Sequence, residues 1–325
     1  MRNNSMEVAV RQRFADVGST LNEWQRQQRS KAASAALLAL SPAATYPYAN
    51  SIQAREAAMK QPLCVAPGKK IRLRDFDADY TGGITKGEKA QAELDKNVAR
   101  LDDLGYRLYA ENRRSLLLVL QGMDTAGKDG TIRHVMQGFN PQSCQVTSFK
   151  QPGVDELAHD FLWRIDRAAP RKGFIGTFNR SHYEDVLVVR VHNLVPKQEW
   201  ESRYERINRF EEMLHDAGTT IVKVFLHISK DEQRRRLQSR LDNPKKRWKF
   251  SKADIAERQY WADYQRAYEA AMTRCNTAHA PWYIVPANRK WYRNLVISRI
   301  LRKTLEEMDP QYPPAEKGLK GLVVE

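Results

Sequence analysis

Between Thr85 and Met308 the chain alternates short apolar runs with longer stretches whose apolar residues recur every three or four positions. Leu94, Val98, Leu101, Leu104 and Leu108 share one face of a helix ending near Asn112. Thr85 and Glu88, three apart, have the form of a capping box at its start. SLLLVLQ (115–121) reads as a strand buried on both faces, and a helix is predicted from Lys128 to about Gly138. CQVTSF (144–149) predicts a second strand, 153–166 a helix, and GFIGTF (173–178) a third strand. A helix over 196–216 leads into TTIVKVFLHI (219–228), the fourth strand. A basic helix from Lys230, a Pro-containing loop and a helix from Ser251 to about Thr273 come next. PWYIVPA (281–287) is the last strand and 289–308 the last helix. DVLVVRV (185–191) has strand composition but little room for a strand, so a buried helix is predicted there. Strands alternating with helices imply an α/β fold, a parallel sheet covered on both faces.

The chain before residue 69 reads differently. Helical stretches over 8–29 and an Ala-rich run to Leu40 precede SPAATYPYAN, rich in turn formers, and no motif appears. Met59 opens a segment that reads as the start of an enzyme. The expected organisation is an N-terminal extension over 1–68, partly helical or poorly ordered, one catalytic domain over 69–315, and a tail over 316–325.

Composition narrows the class. The 325 residues are 42% hydrophobic and 29% charged, a globular balance, and no apolar run reaches the roughly 18–20 residues of a membrane span. No secretory signal opens the chain, and Cys64, Cys144 and Cys275 lack metal or disulfide spacing. A reduced, cytoplasmic protein is expected. The formal net charge of +15 favours polyanions, nucleic acid or any chain of phosphates alike.

QGMDTAGKDG (121–130) carries the strongest chemistry. Gly122, Gly127 and Lys128 fit G-x-x-x-x-G-K between an apolar strand and a helix, the setting in which backbone amides, including those of Ala126 and Gly130, cradle phosphate oxygens. Lys128 adds a point charge. The hydroxyl that should follow to hold Mg²⁺ is replaced by Asp129, so a carboxylate must take over. Asp124, inside the loop, is the better candidate, because Asp129 equally suits the first turn of a helix.

FNRSHYED (178–185) follows the third strand and should face that loop, since ligands bind beyond the carboxyl ends of parallel strands. Arg180 suits phosphate. Glu184 and Asp185 suit Mg²⁺ or a solvated helix start, and Asn179 is neutral where Asp is common. Lys150 and Arg164 are further rim cations. In SKDEQRRRLQSRLDNPKKRWKFS (229–251), Arg236 and Arg240 share a helix face, and Asn243 with Pro244 breaks the helix before Lys246. This predicts a basic lid over about 230–252 that closes on phosphates. No single-strand stacking platform appears, so nucleic acid is not expected.

GMDTAGKDG, FKQP, HDFLWR, FNRSHYEDV, the lid segment and APWYIVPANRK together resemble the polyphosphate kinase 2 family over about 70–313. The resemblance implies a thymidylate-kinase-like fold and phosphoryl transfer between inorganic polyphosphate and nucleotides, with Mg²⁺ (or Mn²⁺) as cofactor. It also implies a homo-oligomer, a dimer or tetramer. By motif, Asp124, Lys128 and Arg180 take the family's loop and second-motif roles, and the lid arginines fall among Arg236 and Arg240. Asn179-Arg180 followed by Glu184-Asp185 resembles members accepting AMP, or both AMP and ADP. Polyphosphate with adenine nucleotides is the expected substrate pair. A conventional ATP-dependent nucleotide kinase is the alternative.

Overall fold

The strands are β1 (Ser115–Gln121), β2 (Cys144–Ser148), β3 (Ile175–Asn179), β4 (Thr219–His227) and β5 (Trp282–Pro286). All pair in parallel, in the order β2-β3-β1-β4-β5, in this computed structural model, which describes residues 63–319 and 322–324. Leu116 to Leu120 of β1 are at most 1% exposed, so both faces of the central strand are covered, as an unbroken apolar run requires. From β1 the chain goes first to β2 and β3 on one side and then crosses to β4 and β5 on the other. That reversal opens a crevice at the carboxyl end of β1, where the Gly-rich loop begins.

The helices are α1 (Glu88–Glu111), α2 (Lys128–Val135), α3 (Val154–Leu157), α4 (Trp163–Asp166), α5 (Val188–Val191), α6 (Lys197–Asp216), α7 (Lys230–Asp242), α8 (Lys252–Glu257), α9 (Trp261–Arg274) and α10 (Lys290–Met308). α10 packs on α1 and α2, whereas α6 packs on β4 and meets α5 and α9. Buried Asn97 of α1 donates to the Ser298 hydroxyl of α10 at 3.0 Å, and Arg299 forks onto Glu93 with both contacts at 2.6 Å. These pairs fix the register of the two long helices.

Several elements depart from the sequence pattern. α1 begins at Glu88 with Gly87 as its cap, and its first bond runs from the Gln91 amide to the Gly87 carbonyl at 3.1 Å. Thr85 therefore lies outside the helix and forms no capping box. The helix expected over 153–166 is two short turns, α3 and α4. The Asp160 side chain accepts from the Leu162 amide at 3.0 Å and competes with the helical bond there. The helix expected from Ser251 is broken at Arg258–Tyr260. DVLVVRV is helical, a 3-10 segment His182–Val186 followed by α5, but α5 is only half-buried.

The extension assigned to 1–68 also ends too late. Cys64 bridges Tyr283 in antiparallel sense, the Val65 amide donates to the Trp282 carbonyl at 3.1 Å, and the Ile284 amide donates to the Leu63 carbonyl at 2.8 Å. Leu63 and Val65 are buried, so the catalytic domain includes them as cover for the β5 edge. The helices expected over 8–40 lie outside the described residues.

Candidate active site

The phosphate loop runs from Gly122 to the start of α2. At Gly122 a Cβ would sit 2.9 Å from the Leu226 carbonyl oxygen, so the turn out of β1 can press against β4 only with glycine. Lys128, 8% exposed, folds back across the loop and donates to the Gly122 carbonyl at 2.8 Å. Burial first, and the Arg180 charge second, pull its pKa from 10.5 down to about 8, against the opposing pull of Asp124, Glu184 and Asp129. Lys128 and Arg180 therefore share one small volume, which an anion would relieve.

Arg180 follows β3 with φ +64°, a left-handed conformation unusual for a side chain of this size. Its Nη1 lies 3.8 Å from Glu184, and that carboxylate raises its pKa. Asn179 ends β3 and donates from Nδ2 to Asp129 Oδ1 at 2.9 Å, which joins the second motif directly to the loop. Asp185 is committed elsewhere: Arg203 donates to its Oδ1 at 3.2 Å, and burial pushes its pKa up to about 6 despite that partner. The acidic pair thus divides, Glu184 towards Arg180 and Asp185 towards α6.

The basic segment divides as well. Arg240 Nη1 lies 3.7 Å from Asp124, and Lys249 Nζ lies 3.8 Å from Asp129, so two cations of this segment rest on the two loop carboxylates. Arg236, expected beside Arg240 as a clamp, is 9% exposed and occupied by protein acceptors. It donates to Glu232 at 2.7 Å, to the carbonyls of Thr125 and Ala126 at 2.9 and 3.0 Å, and to those of Ala287 and Asn288 at 2.5 and 2.9 Å. It pins the back of the loop and cannot also clamp a ligand. Lys246 is exposed. Lys150 is exposed too, and its carbonyl accepts from Arg164 at 2.9 Å, so Arg164 braces the rim instead of reaching outward freely.

Three supports of this site carry no motif in the sequence. Arg293 of α10 is fully buried against the loop. The only signal was its place three and four residues before Val296 and Ile297, on an apolar helix face. Tyr268 of α9 reaches the Gln121 side chain at 3.4 Å, and burial raises its pKa. Beneath the second motif, Lys223 of β4 donates to Glu211 at 2.5 Å, to the Tyr183 hydroxyl at 2.9 Å and to the Cys275 carbonyl at 2.6 Å. Tyr183 and His182 also meet Glu211, at 2.9 and 3.1 Å. This buried network anchors the motif between Arg180 and Glu184. Nothing in the pattern TTIVKVFLHI marks its lysine as an interior one.

No group of three or more His, Cys, Asp or Glu side chains that could hold a metal occurs among the described residues. Asp124, with 38% of its side chain exposed, and Asp129, with 72%, are nonetheless open carboxylates at the loop. That set fits an ion such as Mg²⁺, which takes one or two carboxylates and fills its shell with phosphate oxygens and water.

A Gly-rich loop after the central strand of a parallel sheet, a lysine across it, a second cation opposite and basic residues on the segment that includes α7 define a phosphoryl-transfer enzyme. Residues 84–313 match the family model for polyphosphate kinase 2. The chain is 52% identical over 265 residues to the AMP/ADP-polyphosphate phosphotransferase of Meiothermus ruber, covering 80% of this chain and 98% of that protein. It is 48% identical over 261 residues to the ADP-polyphosphate phosphotransferase of Rhodopseudomonas palustris, covering 77% and 90%. The crystal structure of polyphosphate kinase 2 from Arthrobacter aurescens superposes with a TM-score of 0.76 at 45% identity, covering 79% of this chain and 92% of that one. The chain belongs to the polyphosphate kinase 2 family.

Proposed function

We propose that this enzyme transfers a phosphoryl group reversibly between inorganic polyphosphate and the adenine nucleotides AMP and ADP. The observation that carries the reading is the convergence of Lys128 and Arg180 on one volume beside the loop, with Arg240 and Lys249 overhead on carboxylates they can exchange for phosphates. Such a track suits a polymeric anion whose every unit carries charge. The similarity to an AMP/ADP-polyphosphate phosphotransferase supports the same substrates.

The residues need little covalent chemistry. Loop amides and Lys128 hold the donor's outer phosphates, and Arg180 faces the transferring group from the second motif. The nucleotide's terminal phosphate oxygen attacks the terminal phosphorus in line, and the shortened polyphosphate leaves. Asp124 and Asp129 would hold Mg²⁺, or Mn²⁺, which supplies charge neutralisation on the phosphates when bound. The lid's cations leave the carboxylates for the substrate and exclude water from the transferring group.

The test is phosphorylation of AMP and of ADP with polyphosphate as sole donor and ATP absent. Product from both acceptors supports the proposal. Turnover only when ATP is supplied returns the chain to the conventional nucleotide kinases.

A further inference from the structure

Arg293 is 2% exposed and makes no ion pair among the described residues. Its Nε and Nη2 donate to the Asn294 side-chain oxygen at 3.1 and 2.8 Å, and Nη1 reaches the Ala126 carbonyl at 3.4 Å. Burial, then the neighbouring Arg236, lowers its pKa to about 10, which leaves it charged at neutral pH. Arg236 reaches the same Ala126 carbonyl but carries its own counter-charge in Glu232 at 2.7 Å. Among the described residues Arg293 has only neutral acceptors. A buried charge without a partner is unfavourable and calls for an offsetting anion.

The Ala126–Gly127 peptide indicates where that anion lies. It is trans, so its N–H points opposite to its carbonyl. Two guanidinium groups on the Ala126 oxygen therefore aim the Gly127 amide away from themselves and polarise it. Gly127 caps α2, and its amide has no protein acceptor among the described residues. Arg293 can approach this closely only because residue 127 is glycine. Its φ is +108°, and a Cβ there would lie 1.8 Å from Arg293 Nη1.

We infer that Arg293, together with Arg236, is a positioning residue for the phosphate loop: the two guanidinium groups hold the Ala126–Gly127 peptide from behind, and phosphate bound on the other side is the counter-charge that Arg293 lacks. The identity of that anion as polyphosphate rests on the function proposed above. Neither arginine touches the reacting atoms, and the effect passes through one peptide group.

The experiment titrates the full chain with tripolyphosphate in the absence of nucleotide, following the melting temperature, and measures KM and kcat for polyphosphate. Arg293→Met removes the charge and keeps a long side chain. It is expected to melt no lower than wild type without ligand, to lose about tenfold or more in tripolyphosphate affinity, and to raise the polyphosphate KM while leaving that for AMP within about twofold. Arg293→Lys, which keeps the charge without the planar fork, should recover part of the affinity. Where Arg293→Met gives no folded protein, Arg293→Gln is measured in the same way. Wild-type tripolyphosphate affinity in a folded neutral variant overturns the inference. So does failure of both neutral variants to fold, which would make Arg293 a residue of the fold alone. A wild-type protein that gains no thermal stability from tripolyphosphate overturns the polyphosphate reading instead, and the two failures stay distinct.

Discussion

Asn179 donates its side-chain amide to Asp129 at 2.9 Å, and that bond ties the end of β3 to the residue standing where a phosphate loop ordinarily carries a hydroxyl. The bond requires a neutral donor. A carboxylate at 179 would face Asp129 across hydrogen-bonding distance, and two such groups either share a proton or draw in a cation. AMP and ADP differ by one phosphate unit, so an enzyme serving both must let the nucleotide slide past fixed reacting groups. A carboxylate pair would hold a cation in one place and oppose the sliding. Asn179→Asp should therefore shift the ratio of kcat/KM values from AMP towards ADP by about tenfold. The check is a pair of acceptor titrations at saturating polyphosphate, with an unchanged ratio removing Asn179 from acceptor choice.

Lys128 should give the polyphosphate KM a pH dependence. Its folded pKa, about 8, lies below the ordinary 10.5, so keeping it charged costs stability. That cost is complete below about pH 8, shrinks as pH rises from there, and is gone above 10.5, where both states are neutral. In the free enzyme the charge is lost as pH rises through about 8, and the KM for polyphosphate should climb there. Bound phosphate holds the proton, so kcat should change less. Lys128→Ala should stay folded, lose this dependence and turn over about a thousandfold more slowly.

The strands and the phosphate loop were legible because each rests on local rules. An apolar run such as SLLLVL can only be buried, and glycines at 122 and 127 before Lys128 have a known geometric purpose. What stayed hidden depends on partners distant in sequence. Arg236 looked like one more lid cation until its acceptors proved to be carbonyls at 125, 126, 287 and 288. Lys223 and Glu211 sit in runs that read as ordinary strand and ordinary surface helix, yet they meet in the interior. Periodicity assigns a residue to a face; it does not reveal which buried charges that face will find.

Arg236 and Arg240, one turn apart, should therefore fail in different ways. Arg236→Gln leaves Glu232 to Arg235 alone and takes the buried donors from four carbonyls, and should cost about 3 kcal/mol of stability, read as a lower melting temperature. Arg240→Gln removes only a contact at 3.7 Å to Asp124, so it should melt like wild type. Its turnover with polyphosphate should fall about 100-fold, with a flatter salt dependence, if the side chain transfers to phosphate during the reaction. Equal melting curves for the two variants would contradict the division of roles between them.

The first described residues are part of the β-sheet's cover. Leu63 and Val65 are buried and bonded along β5, whose neighbour β4 forms one wall of the loop through Leu226. Deleting residues 1–58 leaves this cover in place and should leave polyphosphate-dependent turnover within about twofold of the full chain, because that stretch of sequence carries no phosphate-binding motif. Deleting residues 1–68 strips Leu63 and Val65, exposes Trp282 and Ile284, and opens the backbone edge of β5 to solvent or to another chain. Loss of the two buried side chains alone should cost about 3 kcal/mol. The longer deletion should thus melt earlier and aggregate, and any folded fraction should retain the acceptor preference of the full chain. Comparison of the two truncations by melting temperature, light scattering and turnover decides the matter. A soluble 1–58 deletion with strongly reduced turnover would mean that the extension serves the site, and a 1–68 deletion as stable as the shorter one would mean that the β5 edge needs no cover.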